Sequence, residues 1–107
     1  MYEGGSVIEL TDSLWDKEVK GDKENMWVVE YYAPWCGHCT KLKPEYMLLA
    51  DSLSSVGGLK VAAVDATAHT TLASAAKVES YPTIKFVKKG RVSAARPSTF
   101  HPVKVRL

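Results

Sequence analysis

Both cysteines of the chain lie in one four-residue motif, Cys36-Gly37-His38-Cys39. It follows an apolar run and stands where a helix should begin. A two-residue spacer at a helix start brings two sulfurs within disulfide reach. The first sulfur then sits by the unsatisfied N–H groups of the first turn. The helix dipole favours negative charge there, so Cys36 is expected to ionise more readily than a free cysteine. Cys39, one turn further in, is expected to be more buried and less acidic. The pair reads as an attacking thiolate and a resolving thiol separated by Gly37 and His38. The His38 imidazole is placed to stabilise the thiolate, which favours the dithiol and makes the disulfide more oxidising.

Other cysteine chemistry fits less well. A structural zinc site needs four ligands, and His69 and His101 have no second cysteine pair or spaced histidine partner, so no metal is expected. A purely structural disulfide across so short a loop would remove little chain entropy.

Three further features surround the motif. Glu30 is the only charge in Met26–Ala33, a run apolar enough to be covered on both faces. By strand alternation it shares a face with Val28 and Tyr32. An isolated buried carboxylate has a raised pKa, and Glu30 is expected to take a proton from Cys39 and later return it. Tyr81-Pro82 precedes another core strand. A cis bond there would turn the Tyr81 backbone toward the dithiol for strand-like pairing with an extended substrate. Pro34 and Trp35, directly before Cys36, are expected to form an apolar rim beside the sulfur.

The elements that must position these groups alternate. Val7–Leu10 reads as a strand, and Thr11 and Asp12 cap a helix expected to reach about Lys20, with Trp15 and Val19 on its inner face. Gly21–Asn25 is a polar turn and Met26–Ala33 a core strand. Leu42, Leu49 and Leu53 recur at helical spacing between Cys39 and Leu53, and Pro44 should kink that helix. Gly57 and Gly58 end it. Leu59–Val64 is a strand, Leu72–Lys77 a helix and Thr83–Val87 a strand. Lys89-Gly90 turns into a last strand near Val92. The order predicts an α/β domain with helices flanking a central sheet.

Composition agrees with one folded domain over residues 1–92 and a divergent tail over 93–107. The chain has 107 residues, 46% hydrophobic and 24% charged, which suits a globular chain and not a disordered one. The net charge of +2 is uneven. Arg91, Arg96, Lys104 and Arg106 bring four basic residues and no acid to the end of the chain, whereas residues 1–90 hold 10 basic against 12 acidic residues. Four bases without an aromatic platform do not make a nucleic-acid footprint, and no apolar run is long enough for a membrane span. Met1–Gly5 lacks the basic start and apolar stretch of a signal peptide, and no retention tetrapeptide closes the chain. Pro97, Pro102 and the lack of helical periodicity predict an irregular tail.

These residues carry a resemblance. Tyr31-Tyr32-Ala33-Pro34-Trp35-Cys36-Gly37-His38-Cys39 with Lys41-Leu42-Lys43-Pro44-Glu45 resembles the active-site segment of the catalytic, a-type thioredoxin domains of the protein disulfide isomerase family. Val61–Thr67, Tyr81–Phe86 and Ile8–Asp12 are similar to that family's following strand, cis-proline strand and opening, so the likeness runs in order over residues 6–90. It implies a thioredoxin fold, a mixed sheet flanked by helices. It also implies thiol–disulfide exchange on unfolded or misoxidised client proteins in the endoplasmic reticulum lumen, without a bound cofactor. Glutathione or an upstream oxidase would be its redox partner. The resemblance assigns Cys36 as attacking thiol, Cys39 as resolving thiol, Glu30 as proton carrier and Pro82 as the cis residue. The implied couple lies nearer the about −180 mV of a disulfide isomerase than the about −270 mV of thioredoxin.

Two departures qualify it. Ala63 stands where some members place a lysine that pairs the buried glutamate. Residues 91–107 do not show the family's last amphipathic helix, and Arg91 and Arg96 lie nearer the turn than its loop arginine. A competing reading follows: a thioredoxin-fold module that binds clients or a partner through Trp35, Tyr81 and Pro82, with weak redox turnover.

Overall fold

The apolar run from Met26 becomes the centre of the sheet in a computed structural model that describes residues 1–92. The irregular tail expected over 93–107, His101 included, lies outside the described residues. Strand β2 (Met26–Tyr32) pairs in parallel with β3 (Leu59–Asp65) and antiparallel with β4 (Thr83–Lys88). Strand β1 (Ile8–Leu10) runs parallel along β3, and β5 (Arg91–Val92) runs antiparallel along β4. The mixed sheet has the order β1-β3-β2-β4-β5, as expected for the α/β class read from the sequence.

Every residue of β2 after Met26 is buried, so both faces must be covered. Trp27, Val29 and Tyr31 pack with Leu10, Trp15, Val19, Val64 and Val87. On the opposite face Tyr32 packs with Tyr46, Ala50, Val61, Ala63 and both cysteines. The turn into β2 is organised by Asp22. Its carboxylate accepts the main-chain N–H groups of Glu24 and Asn25, each at 3.0 Å, and the Trp27 indole N–H at 3.0 Å. Hydrogen bonds from Asn25 lead those that hold its carboxyl well below the usual range.

The first helix departs from expectation. Thr11 caps it, with the Leu14 N–H donating to Oγ1 at 3.2 Å. Yet α1 covers only Asp12–Leu14, and the chain then widens into a π turn over Trp15–Val19. Its defining bond runs from the Lys20 N–H to the Trp15 carbonyl at 2.9 Å. A π turn sets residues four apart almost above one another, and Trp15 and Val19 both enter the core.

Helix α2 (Gly37–Leu53) continues through Pro44, which lies on its exposed side, where solvent can satisfy the carbonyl that proline leaves unbonded. The buried stripe is Cys39, Tyr46 and Ala50. The leucine stripe read from the sequence is displaced from it: Leu42 and Leu53 are half-buried and Leu49 is exposed. Tyr46 pins the helix to the sheet. Its hydroxyl, with one proton to give, lies 2.8 Å from the Ala62 carbonyl and 3.1 Å from that of Val28.

Helix α3 (Thr70–Ala75) ends earlier than Lys77 because Lys77 adopts a positive φ of 59°. The Val78 N–H reaches back to the Ala73 carbonyl at 3.1 Å and the Lys77 N–H to that of Ser74 at 3.0 Å, a left-handed helix stop. His69 Nδ1 lies 3.1 Å from Asp12 Oδ2, which joins the starts of α3 and α1. Among the described residues no helix is long and apolar enough to cross a membrane.

The β4–β5 hairpin turns at Lys89 and Gly90, both with positive φ (56° and 76°), as the two-residue turn of matching twist requires. A Cβ at Gly90 would lie 2.8 Å from the Lys20 carbonyl oxygen. Gly90→Ala is therefore expected to cost about 2 kcal/mol, in the range for a non-glycine residue forced into a strained conformation. Gly57, with open space around it, should tolerate alanine within ~0.5 kcal/mol. Urea unfolding of the two variants checks the contrast, and equal losses would contradict it.

Candidate active site

Cys36 is the N-cap of α2, with extended backbone at φ −82° and ψ 121°. Strand β2 delivers it there through a turn in which the Cys36 N–H donates to the Ala33 carbonyl at 3.0 Å. The helix then starts against the sulfur itself: the Cys39 N–H donates to Cys36 Sγ at 3.3 Å. An N-cap acceptor is usually a hydroxyl or carboxylate oxygen. Here the acceptor is a sulfur atom that takes on negative charge when the thiol ionises.

The two thiols are free and differ in setting. Cys36 retains 8% of its surface and Cys39 none. Hydrogen bonding from the Cys39 thiol, then from the Cys39 and His38 main-chain amides, holds Cys36 below the ordinary cysteine value against partial burial. Burial, followed by the hydrogen bond with Cys36, pushes Cys39 up to about 11. The expected asymmetry is present. His38 is exposed, and its contribution to Cys36 comes through its main-chain amide. The amides of the first helical turn have no partner within the helix and point toward the cap.

Trp35 and Tyr81 stand beside the sulfur. Trp35 is 73% exposed, and its ring meets Tyr81 edge-on with centroids 5.7 Å apart. The Tyr81-Pro82 bond is cis. The Cys36 thiol donates to the Tyr81 carbonyl, 3.6 Å away. Trp35, Cys36, Tyr81 and Pro82 thus form one surface, although 45 residues separate Cys36 from Tyr81.

Glu30 lies fully buried on the α2 side of β2. Its sheet neighbours are Ala63 on β3 and Ile84 on β4, so neither strand places a cation beside it. Lys60, the one cation of β3, sits over the Trp27 ring at 5.8 Å. Glu30 nevertheless has a partner that sequence reasoning missed. The Tyr2 hydroxyl donates to Oε1 at 2.5 Å, while Oε2 has no hydrogen-bond partner among the described residues. Burial raises the Glu30 pKa, the Tyr2 hydrogen bond opposes that rise, and the charge of Glu9 adds to it. No local pattern marks Tyr2, because its contact spans 28 residues of sequence. Among the described residues no group of three or more His, Cys, Asp or Glu side chains is arranged to hold a metal ion.

A sheet-centred α/β domain with a nearly buried cysteine at a helix N-cap, a fully buried second cysteine and a cis-proline defines the class of thioredoxin-fold dithiol domains. The chain belongs to the thioredoxin family, which it matches over residues 6–100. It is 50% identical to human protein disulfide-isomerase A6 over 86 residues, covering 78% of this chain and 19% of that protein. The Drosophila melanogaster homolog of protein disulfide-isomerase A6 is 46% identical over 89 residues, covering 83% and 20%. The chain thus spans about a fifth of the length of these curated relatives. The first thioredoxin domain of mouse protein disulfide-isomerase A4 superposes with a TM-score of 0.77 at 41% identity, covering 85% of this chain and 64% of that one. Fasciola hepatica thioredoxin gives 0.71 at 27% identity, covering 81% and 82%.

The raised pKa of Glu30 has a consequence for stability. Below about 4.5, the unfolded value, its stabilising contribution is complete; it is lost as pH rises through the folded value. Between the two values the loss is ~1.4 kcal/mol per pH unit. Glu30→Gln is expected to track the parent near pH 4 and to become progressively more stable than it toward pH 8. Urea unfolding across that range measures the difference, and a pH-independent difference would contradict the assignment.

Proposed function

We propose that this domain carries out thiol–disulfide exchange of the protein disulfide isomerase type on cysteines of folding client proteins. The observation that carries the reading is the division of labour between the two sulfurs. Cys36 caps a helix beside Trp35 and Tyr81 with a small part of its surface open, and Cys39 lies fully buried one turn behind it with a raised pKa. The identity with protein disulfide-isomerase A6 supports the same chemistry.

In the reductive direction the Cys36 thiolate attacks a client disulfide. A Cys36–client S–S bond forms, the client S–S bond breaks, and the client's other sulfur leaves as a thiolate and takes up a proton. Cys39 then gives its proton to the Glu30 carboxylate and attacks Cys36 Sγ. The mixed disulfide breaks, the client is released as a dithiol and a Cys36–Cys39 disulfide remains. The oxidative direction reverses these steps, and Glu30 returns the proton to Cys39. Gly37 and His38 supply the spacer, and the main-chain amide of His38 steadies the thiolate. Trp35, Tyr81 and Pro82 form the rim on which an extended client segment lies, with the Tyr81 backbone next to the reacting sulfur. The chemistry needs no bound cofactor. The endoplasmic reticulum lumen is the compartment that suits this activity, with glutathione or an oxidase renewing the disulfide.

Cys39→Ser is expected to accumulate mixed disulfides with a reduced-and-reoxidised client, because attack proceeds but release does not. Cys36→Ser should abolish insulin reduction. Non-reducing gels and turnover assays read both. Wild-type turnover in Cys36→Ser would contradict the proposal. Client binding that survives alkylation, with no turnover in the parent, would favour the binding module instead.

A further inference from the structure

The proposed chemistry uses Glu30 but leaves unexplained how a fully buried carboxyl is held. The N-terminal segment answers this. Tyr2 is 1% exposed, and its ring is wedged between Tyr32, edge-on at 5.9 Å, and Tyr46, tilted at 5.8 Å. Its main-chain N–H donates to Glu9 Oε1 at 2.7 Å, and the other oxygen of Glu9 accepts the Tyr32 hydroxyl at 2.8 Å. Backbone and ring are thus fixed independently, and the phenol is left 2.5 Å from Glu30 Oε1. That distance is in the range of a charge-assisted O–H···O bond.

We propose that Tyr2 is a positioning residue for Glu30, whose phenol occupies Oε1, steadies the ionised carboxylate and leaves Oε2 to exchange the proton. The inference rests on the reading of Glu30 as proton carrier for Cys39. Groups facing Glu30 come from each element around it. The N-terminal segment presents Tyr2, β1 presents Glu9, β2 presents Tyr32, and α2 presents Cys36, Cys39 and Tyr46. The neighbouring Ala63 of β3 and Ile84 of β4 carry no ionisable group. The Tyr46 hydroxyl is committed to main-chain carbonyls. Tyr2 is therefore the one side chain in this set that donates a hydrogen bond to the carboxyl. A donor to a carboxylate favours its charged form. Glu9 acts with the opposite sign, since its own charge disfavours a second nearby charge.

Tyr2→Phe tests this while keeping the ring in its packing. The Glu30 side-chain carboxyl is followed by carbon NMR against pH in the reduced domain, with the amide spectrum as a check of folding. The ionisation midpoint is expected to rise by about one pH unit, a tenfold change in the ionisation constant. Site-specific 3-fluorotyrosine at position 2, a stronger donor of nearly the same shape, is expected to lower it. An unmoved midpoint in both, or a fall in Tyr2→Phe, would overturn the proposal. The pH profile of single-turnover mixed-disulfide release is measured in parallel. Its midpoint should rise with the carboxyl's in Tyr2→Phe, and that rise should vanish in a Glu30→Gln background. If the carboxyl midpoint moves and the release profile does not, the Tyr2–Glu30 coupling stands and the proton-carrier reading falls.

Discussion

One atom holds the site together, because Cys36 Sγ is both the N-cap acceptor of α2 and the less buried of the two thiols. Whatever satisfies the open N–H groups at the start of that helix also stabilises negative charge on the sulfur. Folding and reactivity are thus linked through the same hydrogen bond. The arrangement needs a rigid strand that ends at the right height, which the doubly covered β2 supplies. It also needs a helix that cannot slide, which Tyr46 secures by reaching the carbonyls of the two central strands. Tyr81 then reaches the sulfur from a distant part of the chain because β4 lies directly against β2.

Strand β2 bears a cost for this placement. It carries a carboxyl oxygen on one face, Glu30 Oε2, and a hydroxyl on the other, Tyr31 Oη, neither with a hydrogen-bond partner among the described residues. Each unsatisfied buried polar group costs roughly 1–3 kcal/mol. A core chosen for stability alone would hold neither. For Glu30 the proposed proton exchange with Cys39 would give the cost a chemical purpose. For Tyr31 the structure offers no comparable account. Burial of Tyr2, Tyr32 and Tyr46 around Glu30 pushes the pKa of each phenol up, so these rings remain neutral donors at physiological pH.

Much of this was legible in the sequence where the signal was local or strongly periodic. The apolar run of β2, the Lys89-Gly90 turn and the cysteine spacing at a helix start each follow from neighbouring residues. Contacts between distant residues were not legible in the same way. Tyr2 meets Glu30 only because the N-terminal segment folds back over β2. The buried stripe of α2 lies off its leucine spacing: Cys39, Tyr46 and Ala50 face the sheet, and Tyr46 has a polar tip that finds main-chain carbonyls. The π turn at Trp15 could not be told from an α-helix, since both put residues four apart on one side. The main-chain amide of His38 contributes to holding the Cys36 thiol acidic, a part that residue type alone does not show.

One hydrogen-bonded cap and one burial step shift the acidities of two neighbouring cysteines in opposite directions. The most direct measurement is the rate of iodoacetamide alkylation of each cysteine against pH, resolved by mass spectrometry on the reduced domain. Cys36 is expected to react with a midpoint below the roughly 8.5 of an unperturbed thiol. Cys39 should stay protected at neutral pH and react only as the pH approaches about 11. Coincident midpoints for the two cysteines, or a Cys39 that ionises first, would contradict these opposite shifts.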